Sequence, residues 1–164
     1  MNNATNARVR LAQTIKNGAV LLHGNSVVYR NNDTLYPFRQ DSNFHYLTAW
    51  PEPDAHAVIL VKDSKPELHL FVQDRNEEME TWDGKRFGQE GALVQFGADK
   101  AYSYNNYQKE LPKLLDGITD IYCDYSNSLF DRFDKKILNI AVPYDQRGAD
   151  FSNCLLYTSP SPRD

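Results

Sequence analysis

AVILVKDSKPELHLFV, residues 57–72, holds two apolar runs on either side of a polar break. Runs 57–61 and 68–72 are short and apolar or β-branched. Asp63, Ser64, Lys65 and Pro66 between them supply turn chemistry, so the stretch reads as two strands on a tight connection. Upstream, 44–48 reads as another strand, joined to 57–61 through a turn that contains Pro51 and Pro53. Three sequential strands on short connections predict an antiparallel stretch.

Further out, 8–16 carries Val9, Ala12 and Ile15 at intervals of three, with Leu11 and Ile15 four apart, which predicts an amphipathic helix stopped near Gly18. Short apolar runs at 19–22 and 26–29 read as strands separated by the turn-like His23, Gly24 and Asn25. Residues 30–42 read as an irregular, aromatic loop, because Pro37 lacks an amide hydrogen and biases Tyr36 toward extended geometry. Beyond 72 the pattern turns helical. An acidic helix start at 76–80 is ended by Trp82, Asp83 and Gly84; helices follow at 89–94, 106–115 and 129–140, with strands at 101–102 and 121–123. Helices alternating with strands call for crossover packing, so the predicted fold class is α/β, a mixed sheet flanked by helices.

The chain has 164 residues, 41% hydrophobic, 24% charged and 12% aromatic, the balance of one soluble globular domain with at most a tail. A net charge of -4 builds no positive field for a phosphate backbone, so nucleic acid is not an expected partner. No apolar run is long enough to span a membrane, and the polar start (Met1, Asn2, Asn3) lacks a secretory profile, so the expected address is the cytoplasm. Cys123 and Cys154 are too few for a disulfide framework or a thiolate metal site. The string CLLYTSPSPRD at 154–164 has no periodicity and resembles sequencing-adaptor read-through; the native domain is expected to occupy 1–150, with 151–164 a non-native tail.

Chemistry-bearing residues are sparse. His23, His45, His56 and His69 form no compact ligand pattern and read as separate strand or loop histidines. There is no Gly-x-Ser-x-Gly elbow, and Gly84, Gly88 and Gly91 do not form a phosphate loop. Glu77, Glu78 and Glu80 point in different directions on a helix and read as a solvated face, and Cys123 reads as a small buried residue. Two clusters stand out: Asp33 to Leu47, with Tyr36, Phe38 and Arg39, and Trp82 to Gly88, with Lys85 and Arg86. Aromatics beside charged groups on turn-prone backbone suit either a peptide-recognition surface or packing at a sheet edge.

At these clusters the chain resembles the N-terminal domain of the Xaa-Pro aminopeptidases (aminopeptidase P), in the creatinase and prolidase group. The matching blocks are DTLYPFRQDSNFHYLTAW at 33–50, EPDAHAVIL at 52–60 and TWDGKRFGQEGA at 81–92. Ala49 stands where the family usually has glycine, which speaks against a left-handed backbone there. The resemblance implies a creatinase N-terminal, ribonuclease H-like sheet. It also implies a two-domain metallopeptidase that removes the residue preceding proline. In that family a C-terminal pita-bread domain holds two manganese ions through two aspartates, a histidine and two glutamates; it is expected to be absent here, so this fragment alone is expected to be inactive, with no metal ligand or catalytic residue of its own. The N-terminal domain helps form the substrate cleft and oligomer contacts. Asp33 is expected to hold a peptide amine or an arginine of the catalytic domain, and Trp82 to pack against proline or the residues after it. The implied partners are peptides with proline in second position, the chain's own catalytic domain and further copies in a homo-oligomer, with no membrane. The alternative is a protein-binding module from a metal-free pseudo-peptidase of the same group.

Overall fold

The computed structural model describes residues 3–32, 34–76 and 84–123, and the backbone of 148–150. In chain order the elements are α1 (Asn3–Ile15), β1 (Gly18–His23), β2 (Tyr29–Asn31), β3 (Thr34–Leu35), α2 (Ser42–Thr48), β4 (His56–Lys62), β5 (Lys65–Val72), α3 (Gly88–Val94), β6 (Lys100–Ser103), a 3-10 turn (Tyr104–Asn106), α4 (Tyr107–Leu114), β7 (Ile121–Cys123) and β8 (Gly148–Asp150). Strands β6-β5-β4-β1-β7-β8 form a mixed sheet, antiparallel across β5-β4-β1 and parallel outward from it on each side. β2 and β3 make a separate small hairpin.

The strands alternate their side chains between two apolar layers. Val20, Leu22, Ile59 and Leu70 pack on one face with Leu11 of α1, Phe44 and Leu47 of α2 and Ala92 of α3. Leu21, Val58 and Phe71 pack on the other with Tyr107 and Leu111 of α4. Both faces are covered, so the central strands read as continuous apolar runs, as 57–61 does. Among the described residues no helix is long and apolar enough to cross a membrane.

The predicted strands at 19–22, 57–61, 68–72, 101–102 and 121–123 and the helices at 89–94 and 106–115 are present within a residue or two, or in longer form. The predicted strand at 44–48 is instead helix α2, and the first antiparallel partner of β4 is β1. The cause is local: Asp41 Oδ1 accepts from the Phe44 amide at 2.8 Å as an N-cap, and Phe44, Leu47 and Thr48 fall on one buried face at helical spacing. Residues 26–28 are not strand; only the short exposed hairpin from Tyr29 pairs, within what reads as irregular loop. α1 starts at Asn3 rather than residue 8, because Ala4 and Ala7 extend its buried stripe. The expected helix at 129–140, the acidic residues Glu77, Glu78 and Glu80, Cys154 and the tail at 151–164 lie outside the described residues.

Ala49 does adopt the left-handed conformation, at φ 57° and ψ 12°, and its amide donates to the His45 carbonyl at 2.7 Å to close α2. The helix end enforces that geometry on a residue with a Cβ. Ala49→Gly is therefore expected to stabilise the domain by about 0.5–1 kcal/mol, read as a higher urea midpoint with unchanged slope.

His69 is buried on β5, with Nε2 2.9 Å from Glu67 Oε1. Burial lowers its pKa below the ordinary imidazole value despite the opposing pull of Glu67. The unfolded chain therefore takes up a proton at higher pH than the folded one does. The stability His69 confers is complete above the ordinary imidazole pKa and is lost as pH falls through that value toward the lower folded one. Urea midpoints measured from neutral to mildly acidic pH are expected to fall, and to fall less for His69→Gln.

Candidate functional site

Gln40 ties three chain segments together. Its Oε1 accepts from the amides of Asn25 at 2.7 Å and Asp41 at 3.0 Å, and its Nε2 donates to the carbonyls of Glu52 at 2.8 Å and Trp50 at 3.4 Å. Asn25 Nδ2 donates to the Arg39 carbonyl at 3.0 Å, and its own carbonyl accepts from the Asp54 amide at 3.0 Å. Gly24 fits beneath this joint because a Cβ there would lie 3.0 Å from Gln40 Oε1 and 3.2 Å from the Ala55 carbonyl. A fourth segment joins through Glu52, whose Oε1 accepts from the Phe87 amide at 2.8 Å. Behind it Trp50 packs edge-on against Phe87 and Phe96, with ring centroids 5.9 and 4.9 Å away.

Between these segments opens a cleft of about 610 Å³ lined by Val27, Tyr29, Leu35, Glu52, Pro53, Asp54, Gln73, Lys85 and Arg86. Two carboxylates, two cations and an amide share it with Val27, Leu35, Pro53 and the Tyr29 ring. That mixture matches an extended peptide, whose charged ends and backbone groups alternate with apolar side chains. The hairpin beside it leaves Val28, Tyr29, Leu35 and Tyr36 exposed. A more open depression of about 920 Å³, lined by Asp63, Lys65, Glu67, Asp99 and Asp116 among others, meets the three blocks only at Leu60, the last residue of 52–60.

All three blocks meet at the smaller cleft: 33–50 supplies Leu35 and the Gln40 joint, 52–60 supplies Glu52, Pro53 and Asp54, and 81–92 supplies Lys85 and Arg86. Asp33 and Trp82 lie outside the described residues, but Leu35 and Lys85, two and three positions along from them, line the cleft. The sequence clusters flagged Lys85, Arg86 and the 33–47 loop; they missed Glu52, Asp54 and Gln73, for which the paired prolines around Glu52 were the available signal. The histidines are not all separate, since Nδ1 of His23 lies 2.7 Å from Nδ1 of His56. Among the described residues no group of three or more His, Cys, Asp or Glu is arranged to hold a metal ion.

A family model described as "Aminopeptidase P, N-terminal domain" matches residues 4–122. The chain belongs to this family. The Xaa-Pro aminopeptidase of Haemophilus influenzae is 40% identical over 111 residues, covering 68% of this chain and 26% of that protein. Human Xaa-Pro aminopeptidase 3 is 37% identical over 113 residues, covering 65% and 22%. Among solved structures, an Escherichia coli aminopeptidase P variant in complex with substrate superposes with a TM-score of 0.84 at 26% identity, covering 93% of this chain and 37% of that one. Pseudomonas aeruginosa aminopeptidase PepP gives 0.83 at 29% identity, covering 94% and 38%. The chain thus spans about a quarter of the length of these curated relatives. Its mixed sheet flanked by helices is the fold of the aminopeptidase P N-terminal domain.

Proposed function

We propose that this chain is the non-catalytic, cleft-forming domain of a cytoplasmic Xaa-Pro aminopeptidase, a metallopeptidase that removes the residue preceding proline. The observation that supports this reading is the meeting of all three resemblance blocks around one peptide-sized cleft. In it, residues 1–150 are the domain and 151–164 a non-native tail. In this reading Asp33 serves to hold a peptide amine or an arginine of the catalytic domain, and Trp82 serves to hold proline or the residues after it. The exposed hairpin meets other parts of the oligomer. The described residues do not fit a metal pair, so no step through manganese is assigned to them; in this reading two manganese ions, which activate water and polarise the scissile carbonyl, sit on a catalytic domain outside this chain.

The test has two arms. Purified chain supplied with manganese is expected to release nothing from peptides with proline second, and robust turnover overturns the proposal. In an enzyme containing both domains, Trp82→Ala is expected to raise KM for longer peptides with kcat and metal content retained, whereas unchanged kinetics at every peptide length count against the cleft role.

A further inference from the structure

Lys85 sits in a short stretch whose backbone is fixed on both sides. Gly84, at φ 85° with open space where a Cβ would be, supplies a left-handed turn that other residues rarely adopt. Gly88, at φ 59°, lies against the Arg75 stem, which a Cβ there would meet at 2.6 Å. Between them Phe87 donates its amide to Glu52 Oε1 at 2.8 Å and packs its ring on Trp50 and Phe96, with centroids 5.9 and 5.0 Å away. Lys85 is thus brought to the cleft by its neighbours and not by its own side chain, which is exposed and has no hydrogen bond or ion pair to any described residue.

Two other polar side chains that line the cleft are in the same condition. Gln73 directly follows β5, and Asp54, left-handed at φ 53° with its amide on the Asn25 carbonyl at 3.0 Å, stands just before β4. Neither side chain has a hydrogen bond or ion pair to a described residue. Glu52, by contrast, is committed to the Phe87 amide.

An ammonium offers only donors, a carboxylate only acceptors and a carboxamide both. The cleft therefore has a polarity. An anionic group is drawn toward Lys85 and repelled by Asp54, while Gln73 is able to bond a peptide unit through both its carbonyl and its N–H. In the reading given under Proposed function, on which this inference rests, the residue before proline belongs to the catalytic domain and the residues after proline enter the cleft. We infer that Lys85 is a specificity-determining residue, which selects peptides carrying a carboxylate on the part that follows proline. That carboxylate is the chain end of a short peptide or the side chain of an acidic residue, and both present the same acceptor oxygens to the ammonium.

The test uses the full 164-residue chain and proton–nitrogen NMR correlation spectra, which read binding without turnover. Three peptides are titrated to about 10 mM: Ala-Pro-Ala-Ala as the free acid, the same peptide amidated, and amidated Ala-Pro-Glu-Ala. An exposed ion pair changes affinity by up to about fivefold, so a carboxylate-bearing peptide is expected to bind about fivefold more tightly than the plain amide. The largest shifts are expected at the amides of Gln73 and Lys85, and the preference is expected to fade as salt rises to about 0.5 M. Lys85→Gln is expected to abolish the preference with the plain-amide affinity and the rest of the spectrum unchanged, and Lys85→Arg to keep it. A gain with the free acid assigns the chain end, and a gain with the glutamate peptide assigns a side chain. Equal affinity for all three peptides, or a preference that survives Lys85→Gln, overturns the role of Lys85 and leaves peptide binding in the cleft standing. No shift at the cleft with any of them overturns both that role and the cleft assignment, so the two failures are separate results.

Discussion

Trp50→Ala is expected to lower the stability of the domain by about 3–5 kcal/mol, seen as a large drop in urea midpoint. The indole is fully buried, next to the rings of Phe87 and Phe96 and in the same core as Leu70 and Phe44. Alanine leaves a void beside the Phe87 and Phe96 rings. Among the described residues the indole Nε1 has no hydrogen-bond partner, so Trp50 acts through shape alone. Trp50→Phe, which keeps a ring and removes the unsatisfied donor, is accordingly expected to cost less than half as much. A loss as large for phenylalanine as for alanine contradicts the packing argument. The damage reaches the cleft as well: Phe87 rests on Trp50 and donates its amide to Glu52, so Lys85 and Arg86 lose their anchorage when the indole goes. Gly91 keeps this arrangement compact, because a Cβ at that position would sit 2.6 Å from Phe87 Cβ.

Arg8→Met is expected to cost about 3 kcal/mol in the same measurement. Arg8 is a guanidinium inside the apolar stripe of α1, with only 4% of its surface exposed. Its Nη1 donates to the Leu47 carbonyl at 2.8 Å, and Nη2 donates to the Gly97 carbonyl at 3.1 Å and to Thr5 Oγ1 at 3.2 Å. Burial lowers its pKa below the ordinary value while Asp99 pulls the other way. One planar cation thus joins α1, the last turn of α2 and the turn before β6, and its charge complements the carbonyl end of α2. Methionine preserves the stem but leaves the Leu47 carbonyl buried without this donor. Arg8→Lys is expected to recover only part of the loss, since one ammonium does not reproduce a fork aimed at two carbonyls.

What the sequence disclosed, and what it hid, divides along the range of the interactions involved. β4 and β5 are legible because both their faces are covered, which makes 57–61 apolar throughout and 68–72 apolar but for His69, and leaves the polar turn at Asp63 and Ser64 conspicuous. α2 misleads because in five residues, Phe44 to Thr48, a strand and a single helical turn share the same apolar positions; the decisive signal, Asp41 as N-cap, lies outside the run. Arg8 reads as polar because nothing local announces that Leu47 and Gly97, 39 and 89 residues away, present carbonyls to it. The pairing of His23 with His56 depends on the register of two strands 33 residues apart, and Gln40 gains its role only where three loops converge. The family blocks marked the right neighbourhood without disclosing the Glu52 and Asp54 wall.

The strand order also bears on how the polypeptide acquires its shape during synthesis. β1, β4 and β5 are the central neighbours of the sheet, and all three are complete by Val72, together with α1 and α2 that cover one side. A ribosome that has released this much has delivered a three-stranded meander with one face sheltered. β6 and β7 then add at opposite borders, and the second face stays wet until α4 emerges after residue 106. A nascent chain halted between those points therefore displays Leu21, Val58 and Phe71 to the solvent, the kind of surface that chaperones engage.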